Sequence, residues 1–255
     1  MESQIFERFE KKYLLREDVC RALCRKLASR MDEDRFGRYS ISSIYYDTAD
    51  YELIRRSIEK TAYKEKLRLR SYGPAGENDT VYAELKKKYA GVVYKRRIAL
   101  PLHSAKRLLA RQDASVLAPE QAQIGAELTY AVTRYGLMPR VFVSYDRTAL
   151  SGKEDPELRV TFDRNIRCRH RDLSLNRSPA DTFLLEPDQV LMEVKIPGAM
   201  PVWMSRIFSE LGIRPVSYSK YGTYYKNYLC RELFPAGRAC QETDGQMNER
   251  RQACA

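Results

Sequence analysis

Lys66, Arg68 and Arg70 alternate with Leu67 and Leu69, and the same every-other-residue pattern returns three more times. Glu84, Lys86 and Lys88 are set against Ala83 and Leu85. Arg159, Thr161 and Asp163 are set against Leu158, Val160 and Phe162, and Glu193 and Lys195 against Met192, Val194 and Ile196. In a strand, residues two apart share a face, so each run predicts one apolar side and one charged side. Charged faces usually look at solvent. Here, however, three of the four mix cations with a carboxylate or hydroxyl, and a barrel can turn such faces inward. Cations crowded into an interior repel one another unless a polyanion neutralises them. Arginine suits that task because its planar fork grips two phosphate oxygens at once. Glu10 stands two residues from both Arg8 and Lys12, and Glu193 two from Lys195. Carboxylates among phosphate-binding cations are the hard oxygen donors that Mg²⁺ or Mn²⁺ uses together with substrate phosphate.

The charge balance agrees. The 255 residues carry 45 Lys and Arg against 34 Asp and Glu, a net +11. Residues 60–100 alone hold eleven basic and four acidic side chains, which points to nucleic acid, anionic lipid or a phosphate-rich small molecule as partner. For nucleic acid, aromatics interleaved with cations on an open sheet are expected. Tyr218, Tyr221, Tyr224, Tyr225 and Tyr228 instead fall at helical spacing, so nucleic acid is the lesser expectation. Two histidines, His103 and His170, exclude a histidine-rich zinc site, and no Walker A motif is present. His170-Arg171-Asp172-Leu173 echoes a kinase catalytic loop without its asparagine spacing, glycine-rich loop or Asp-Phe-Gly. The six cysteines form no Cys-x-x-Cys and no regular framework. Together with the absence of a secretory pattern and of a long apolar run, this leads to the expectation of a cytoplasmic protein without a transmembrane segment.

Several elements must hold these faces. Strands are expected over 5–15, 40–47, 61–72, 80–88, 91–100, 138–150, 157–169 and 189–196, and helices over 17–31, 50–59, 104–111, 119–135, from Pro201, and over 218–229. Strands in consecutive runs argue for an α+β fold: an antiparallel barrel or tunnel with a charged lumen, covered by peripheral helices. A single domain over 1–234 is expected, followed by a disordered tail over 235–255.

FEKKYLL, SIYYDT, KLRLRSYG, ELKKKYAGVVYKRR, SYDRTA, LRVTFD, LMEVKIPG and SYSKYGTYY, in this order over residues 5 to 230, resemble the VTC domains. These are the polyphosphate polymerase branch of the triphosphate tunnel metalloenzymes, the CYTH-like superfamily. The resemblance implies a tunnel whose lumen holds a triphosphate or polyphosphate. Lys12, Arg68, Arg70, Lys86 and Lys95 look like phosphate ligands, with Tyr145, Arg147 and Arg159 as the matching group on the second half. Glu193 resembles the family's metal-binding glutamate, with Glu10 a second candidate, and Ser219 with Lys220 resembles its Ser-Lys phosphate clamp. Lys66, Arg97 and Lys195 have the strand phase to join them. Family members often carry lysine where this chain has Ser217. The opening Arg8-Phe-Glu10-Lys11-Lys12 replaces the superfamily's Glu-x-Glu-x-Lys, which favours the VTC branch. The expected activity is metal-dependent transfer of the ATP γ-phosphoryl group to polyphosphate, with Lys12, Arg68, Arg70, Arg147 and Arg159 as the catalytic cations and room for a separate membrane partner. Two alternatives are a triphosphatase using the same lumen, and a non-catalytic polyphosphate or nucleic-acid binding module.

Overall fold

The computed structural model describes residues 8–89 and 92–233; the tail expected from 235 on lies outside them. Strand β1 (Arg8–Arg16) leads into helix α1 (Glu17–Leu27), which carries Glu17 and Asp18 in its first turn and Arg25 and Lys26 in its last. Both sets oppose the helix dipole. Helix α1 ends four residues before the expected boundary because Met31 already opens β2 (Met31–Asp47). That strand is much longer than expected, since its first half, MDEDRFGR, lacks the alternation that marks a strand in sequence. Then follow α2 (Glu52–Ile58), β3 (Tyr63–Tyr72), β4 (Thr80–Tyr89), β5 (Val92–Pro101), α3 (Leu102–Arg111) and α4 (Ala122–Tyr135). Gly136, at φ 60°, supplies the left-handed residue that stops α4. The chain continues through β6 (Met138–Gly152), β7 (Arg159–Arg169), the short β8 (Thr182–Phe183), β9 (Gln189–Pro197), α5 (Val202–Glu210) and α6 (Lys220–Tyr224). Helix α6 runs on through a π-type turn over Tyr225–Leu229 into α7 (Cys230–Leu233).

All the main strands pair antiparallel in the order β1-β9-β7-β6-β2-β3-β4-β5, with β8 beside β7. Among the described residues no ladder joins β5 to β1, so the expected barrel is a curled sheet that backbone pairing does not close. The free edge of β1 instead meets the segment before α6, where Val216 N–H donates to the Lys12 carbonyl at 2.7 Å.

The apolar faces are covered from outside by two groups of helices. Leu67, Leu69, Ala83, Leu85, Ile98 and Leu100 pack against Ala105, Leu108 and Leu109 of α3 and Leu128 and Val132 of α4. Tyr13, Val160, Phe162, Met192 and Val194 pack against Leu23 and Leu27 of α1 and Met204 and Phe208 of α5. The third apolar cluster is different. Tyr221, Tyr224 and Tyr225 from the C-terminal helix, with Ile54 from α2, meet Ile41, Val141, Val143 and Tyr145. Val143, Tyr145 and Ile41 project on the same side as the charged residues, so this cluster stoppers one end of the interior. No helix among the described residues is long and apolar enough to cross a membrane.

Candidate functional site: a basic tunnel

Strand register places the predicted charged residues on one continuous face. Glu10 and Lys12 of β1 stand opposite Lys195 and Glu193 of β9, which stand opposite Arg159 and Thr161 of β7. Asp163 faces Arg147 of β6, Arg147 faces Tyr39 of β2, and further along β2 Ser43 and Tyr45 face Arg70 and Arg68 of β3. Arg68 and Lys66 then face Glu84 and Lys86 of β4, which face Arg97 and Lys95 of β5. The sheet curls so that its two ends meet across the interior. Lys86 of β4 is near enough to act on Glu10 of β1, and Lys12 on Lys66.

Two buried carboxylates organise the cations. Glu84, 2% exposed, accepts from Arg68 Nε at 2.7 Å through Oε2 and lies 3.2 Å from Lys95 Nζ, 3.5 Å from Arg97 Nε and 3.9 Å from Arg70 Nε. Burial opposes its ionisation, but Arg68, Arg70 and Lys95 prevail and pull its carboxyl down to about 2. Asp163 takes a fork from Arg147, Nε at 2.6 Å and Nη2 at 2.8 Å, and a third bond from Lys220 Nζ at 2.6 Å. Burial again opposes ionisation, yet Lys220 and Arg147 hold the carboxyl below its ordinary value. Lys220 also lies 4.3 Å from the Tyr145 ring. Strand pairing and the start of α6 thus bring Arg68, Arg70, Lys95, Arg97, Arg147, Tyr145 and Lys220 into one lumen.

Tyr45 joins them without having been legible as a site residue. It accepts a hydrogen bond from Arg68 Nη1 at 3.2 Å and packs on Tyr221 at 5.1 Å between centroids. Burial would raise its phenol, but Arg68, Arg70 and Lys66 outweigh that and bring it to about 8. Burial brings the Lys66 ammonium down to about 8 as well, with Lys12, Lys86 and Arg68 adding repulsion. From sequence Tyr45 stands only in an expected strand; its charge environment depends on β3 lying beside it.

At the β1–β9 wall, Lys12 donates to the Tyr218 carbonyl at 3.1 Å and lies 3.4 Å from Glu10, while Lys195 lies 3.5 Å from Glu193. Burial raises the Glu10 carboxyl, but Lys12, Lys86 and Lys195 bring it below its ordinary value. A cleft of about 330 Å³ between β1 and residues 215–218 is lined by Glu10, Lys12 and Ser217, so a lysine at position 217 would enter here. Ser219 caps α6, its Oγ accepting from Gly222 N–H at 3.2 Å. That bond uses an acceptor lone pair and leaves the hydroxyl proton unconsumed. Arg159 stands apart from the two hubs, half exposed and 3.7 Å from Asp34.

The donor set fits a divalent cation shared with phosphate. Glu193 is only 12% exposed in its side chain, and Glu10 is its diagonal neighbour on β1. Among the described residues no group of three acidic, histidine or cysteine side chains could hold an ion alone. Mg²⁺-like ions commonly take one or two carboxylates and complete their shell with phosphate and water. Three buried groups on this face, Arg70 Nε, Ser43 Oγ and Thr161 Oγ1, lack a hydrogen-bond partner within the protein. Buried polar groups left so are rare.

The inner face of the curled sheet is thus lined by cations with carboxylates as spacers. The chain belongs to the VTC domain family, whose model matches residues 7–228. Solved structures with a similar course include a candidate adenylate cyclase of Bacillus halodurans (TM-score 0.49, 15% identity, covering 82% of this chain and 92% of that one). A second candidate adenylate cyclase, from Vibrio parahaemolyticus, gives TM-score 0.49 at 15% identity over 86% and 97%. A candidate adenylyl cyclase from Hippeastrum with a dominant triphosphatase activity gives 0.48 at 14% over 85% and 95%. No curated protein sequence matches the chain.

Proposed function

We propose that this protein is a metal-dependent polyphosphate polymerase that transfers the ATP γ-phosphoryl group to a growing polyphosphate chain inside the tunnel. The observation that carries the reading is the shared face of Lys12, Lys66, Arg68, Arg70, Lys86, Lys95, Arg97, Arg147, Arg159, Lys195 and Lys220, tempered among the described residues by Glu10, Asp34, Glu84, Asp163 and Glu193. That excess is larger than the charge of one triphosphate, which suits a lumen that holds donor and polymer end together.

Phosphoryl transfer asks for positioning and charge neutralisation more than for covalent help. Arg68 and Arg70 from one wall and Arg147 from the other, with Lys12 and Arg159, would bind and orient the phosphates and stabilise charge on the transferred group. A terminal phosphate oxygen of the polymer forms the new P–O bond as the bond from the γ-phosphorus to the ADP oxygen breaks. The attacking oxygen is already ionised, so no general base is required of the protein. Glu193, with Glu10, would hold a Mn²⁺ or Mg²⁺ ion, which supplies Lewis-acid neutralisation of phosphate oxygens.

Incubation of the protein with ATP and Mn²⁺ is expected to yield ADP and a ladder of polyphosphate, with both lost in Arg68→Ala and Glu193→Ala. ADP with orthophosphate alone would make the protein a triphosphatase. Polyanion binding without turnover would make it a binding module.

A further inference from the structure

At the rim of the tunnel the cations give way to a row of aromatic rings. Phe36 and Tyr39 of β2, Tyr72 of β3 and Tyr82 of β4 follow one another at centroid separations of 6.1, 6.1 and 5.6 Å. Tyr39, Tyr72 and Tyr82 belong to the charged face by register, since Tyr39 is opposite Arg147, Tyr72 opposite Ile41, and Tyr82 opposite Arg70. They continue the rows of Arg68 and Arg70 away from the end stoppered by α6. The row touches both walls of the lumen. Arg97, 3.5 Å from Glu84, lies with its guanidinium 3.6 Å from the Tyr82 ring centre and donates to the Tyr72 hydroxyl at 3.4 Å. Tyr39 lies within electrostatic reach of Arg147 and Arg159 on the other side.

Tyr39 packs against the third apolar cluster, but the two rings that flank it in the row serve no core. Phe36 is 63% exposed and Tyr72 48% exposed, and neither joins any of the three apolar clusters. Arg35 lies 4.8 Å from the Phe36 ring, so the outermost ring also carries a cation. Exposed aromatic faces joined to arginines are the surface on which a planar base stacks, and stacking tolerates any base because each has a π face.

We infer that this row is the nucleobase subsite of the phosphoryl donor: phosphates enter among Arg70, Arg97 and Arg147 while the base lies against Tyr72 and Phe36 at the rim. The inference rests on the proposed reading that a nucleoside triphosphate uses the tunnel, and it adds a basis for preferring a nucleotide over bare tripolyphosphate. Purines, with the larger stacking surface, should be held better than pyrimidines.

The test is calorimetric titration of the full chain, in Mg²⁺, with the β,γ-imido analogues of ATP and UTP and, separately, with tripolyphosphate. The wild type should bind the purine analogue more tightly than the pyrimidine one. Phe36→Ala and Tyr72→Leu should weaken the ATP analogue by about tenfold each and leave tripolyphosphate within about twofold. Tyr72→Phe, which keeps the ring and removes only the hydroxyl, should retain the affinity, and Phe36→Trp should retain or improve it. Equal losses for the nucleotide and for tripolyphosphate would overturn the subsite while leaving the tunnel reading intact, as would unchanged nucleotide affinity in both ring-deleting variants. Failure of the wild type to bind either ligand would overturn the tunnel reading and the subsite with it.

Discussion

Glu84 is the residue that keeps the lumen cations together between substrates. With it neutralised, Arg68, Arg70, Lys95 and Arg97 would face one another without a counter-charge. Breaking a buried ion pair on one side costs about 3 kcal/mol, so Glu84→Gln is expected to melt about 10 °C lower in the absence of ligand. Tripolyphosphate should restore more stability to this variant than to the wild type, because the anion takes over the carboxylate's role. A differential scanning measurement with and without tripolyphosphate checks both halves; equal ligand-induced shifts would contradict it. A second prediction concerns Tyr45 and Lys66, each brought to about 8. Below that pH the lysine is charged and the phenol neutral. As pH rises through about 8 the lysine loses its positive charge and the phenol gains a negative one, so both changes repel an anion. Triphosphate affinity should therefore fall above about pH 8, with proton uptake on binding near that pH, and Tyr45→Phe should flatten the upper limb of the profile.

At the scale of elements, the C-terminal helix does two jobs, closing one end of the lumen and delivering Lys220 to Asp163. Its seat is the buried Asp47, which accepts from the backbone N–H groups of Thr48 at 2.8 Å, Leu53 at 2.9 Å and Ile54 at 3.1 Å, and from the Tyr221 hydroxyl at 2.8 Å. One carboxylate thus starts α2 and pins α6. Asp47→Ala strips four donors of their acceptor and should cost about 3 kcal/mol. It should also weaken tripolyphosphate binding, although Asp47 itself touches no lumen cation among the described residues, because α6 no longer fixes Lys220. Denaturant titration together with the binding constant tests this; a loss of stability with unchanged affinity would show that Lys220 is positioned without the α2–α6 contact. The π-type turn after α6 keeps Tyr225 against Tyr51 at 5.6 Å, so the stopper is anchored from two sides.

For the whole molecule, what the sequence reveals and what it hides divide along a physical line. KLRLR and LRVTFD announce their faces because alternation is local, and helices announce themselves by Pro201 and the spacing of Leu23 and Leu27. Which cations meet is a matter of register between strands far apart in the chain. The organising parts of Glu84 and Asp163 are therefore not readable, although both residues stand in recognisable patterns. Tyr45 is hidden for the same reason. The first half of β2 is hidden because MDEDRFGR is polar on both sides. Ser219 shows as half of a Ser-Lys pair, and only the helix geometry reveals that it also caps α6. The family resemblance extends over nearly the same stretch that the family model matches, and it supplies roles that period and spacing alone could not assign.

The proposed function depends on cations from distant strands converging to hold a chain of phosphates inside the tunnel. A crystal of the protein grown with Mn²⁺ and tripolyphosphate tests that most directly. Phosphorus atoms are expected between Arg68 and Arg70 on one wall and Arg147 and Lys220 on the other, with a manganese anomalous peak beside Glu193. Phosphate bound only on the outer surface, with the interior side chains still paired among themselves, would contradict it.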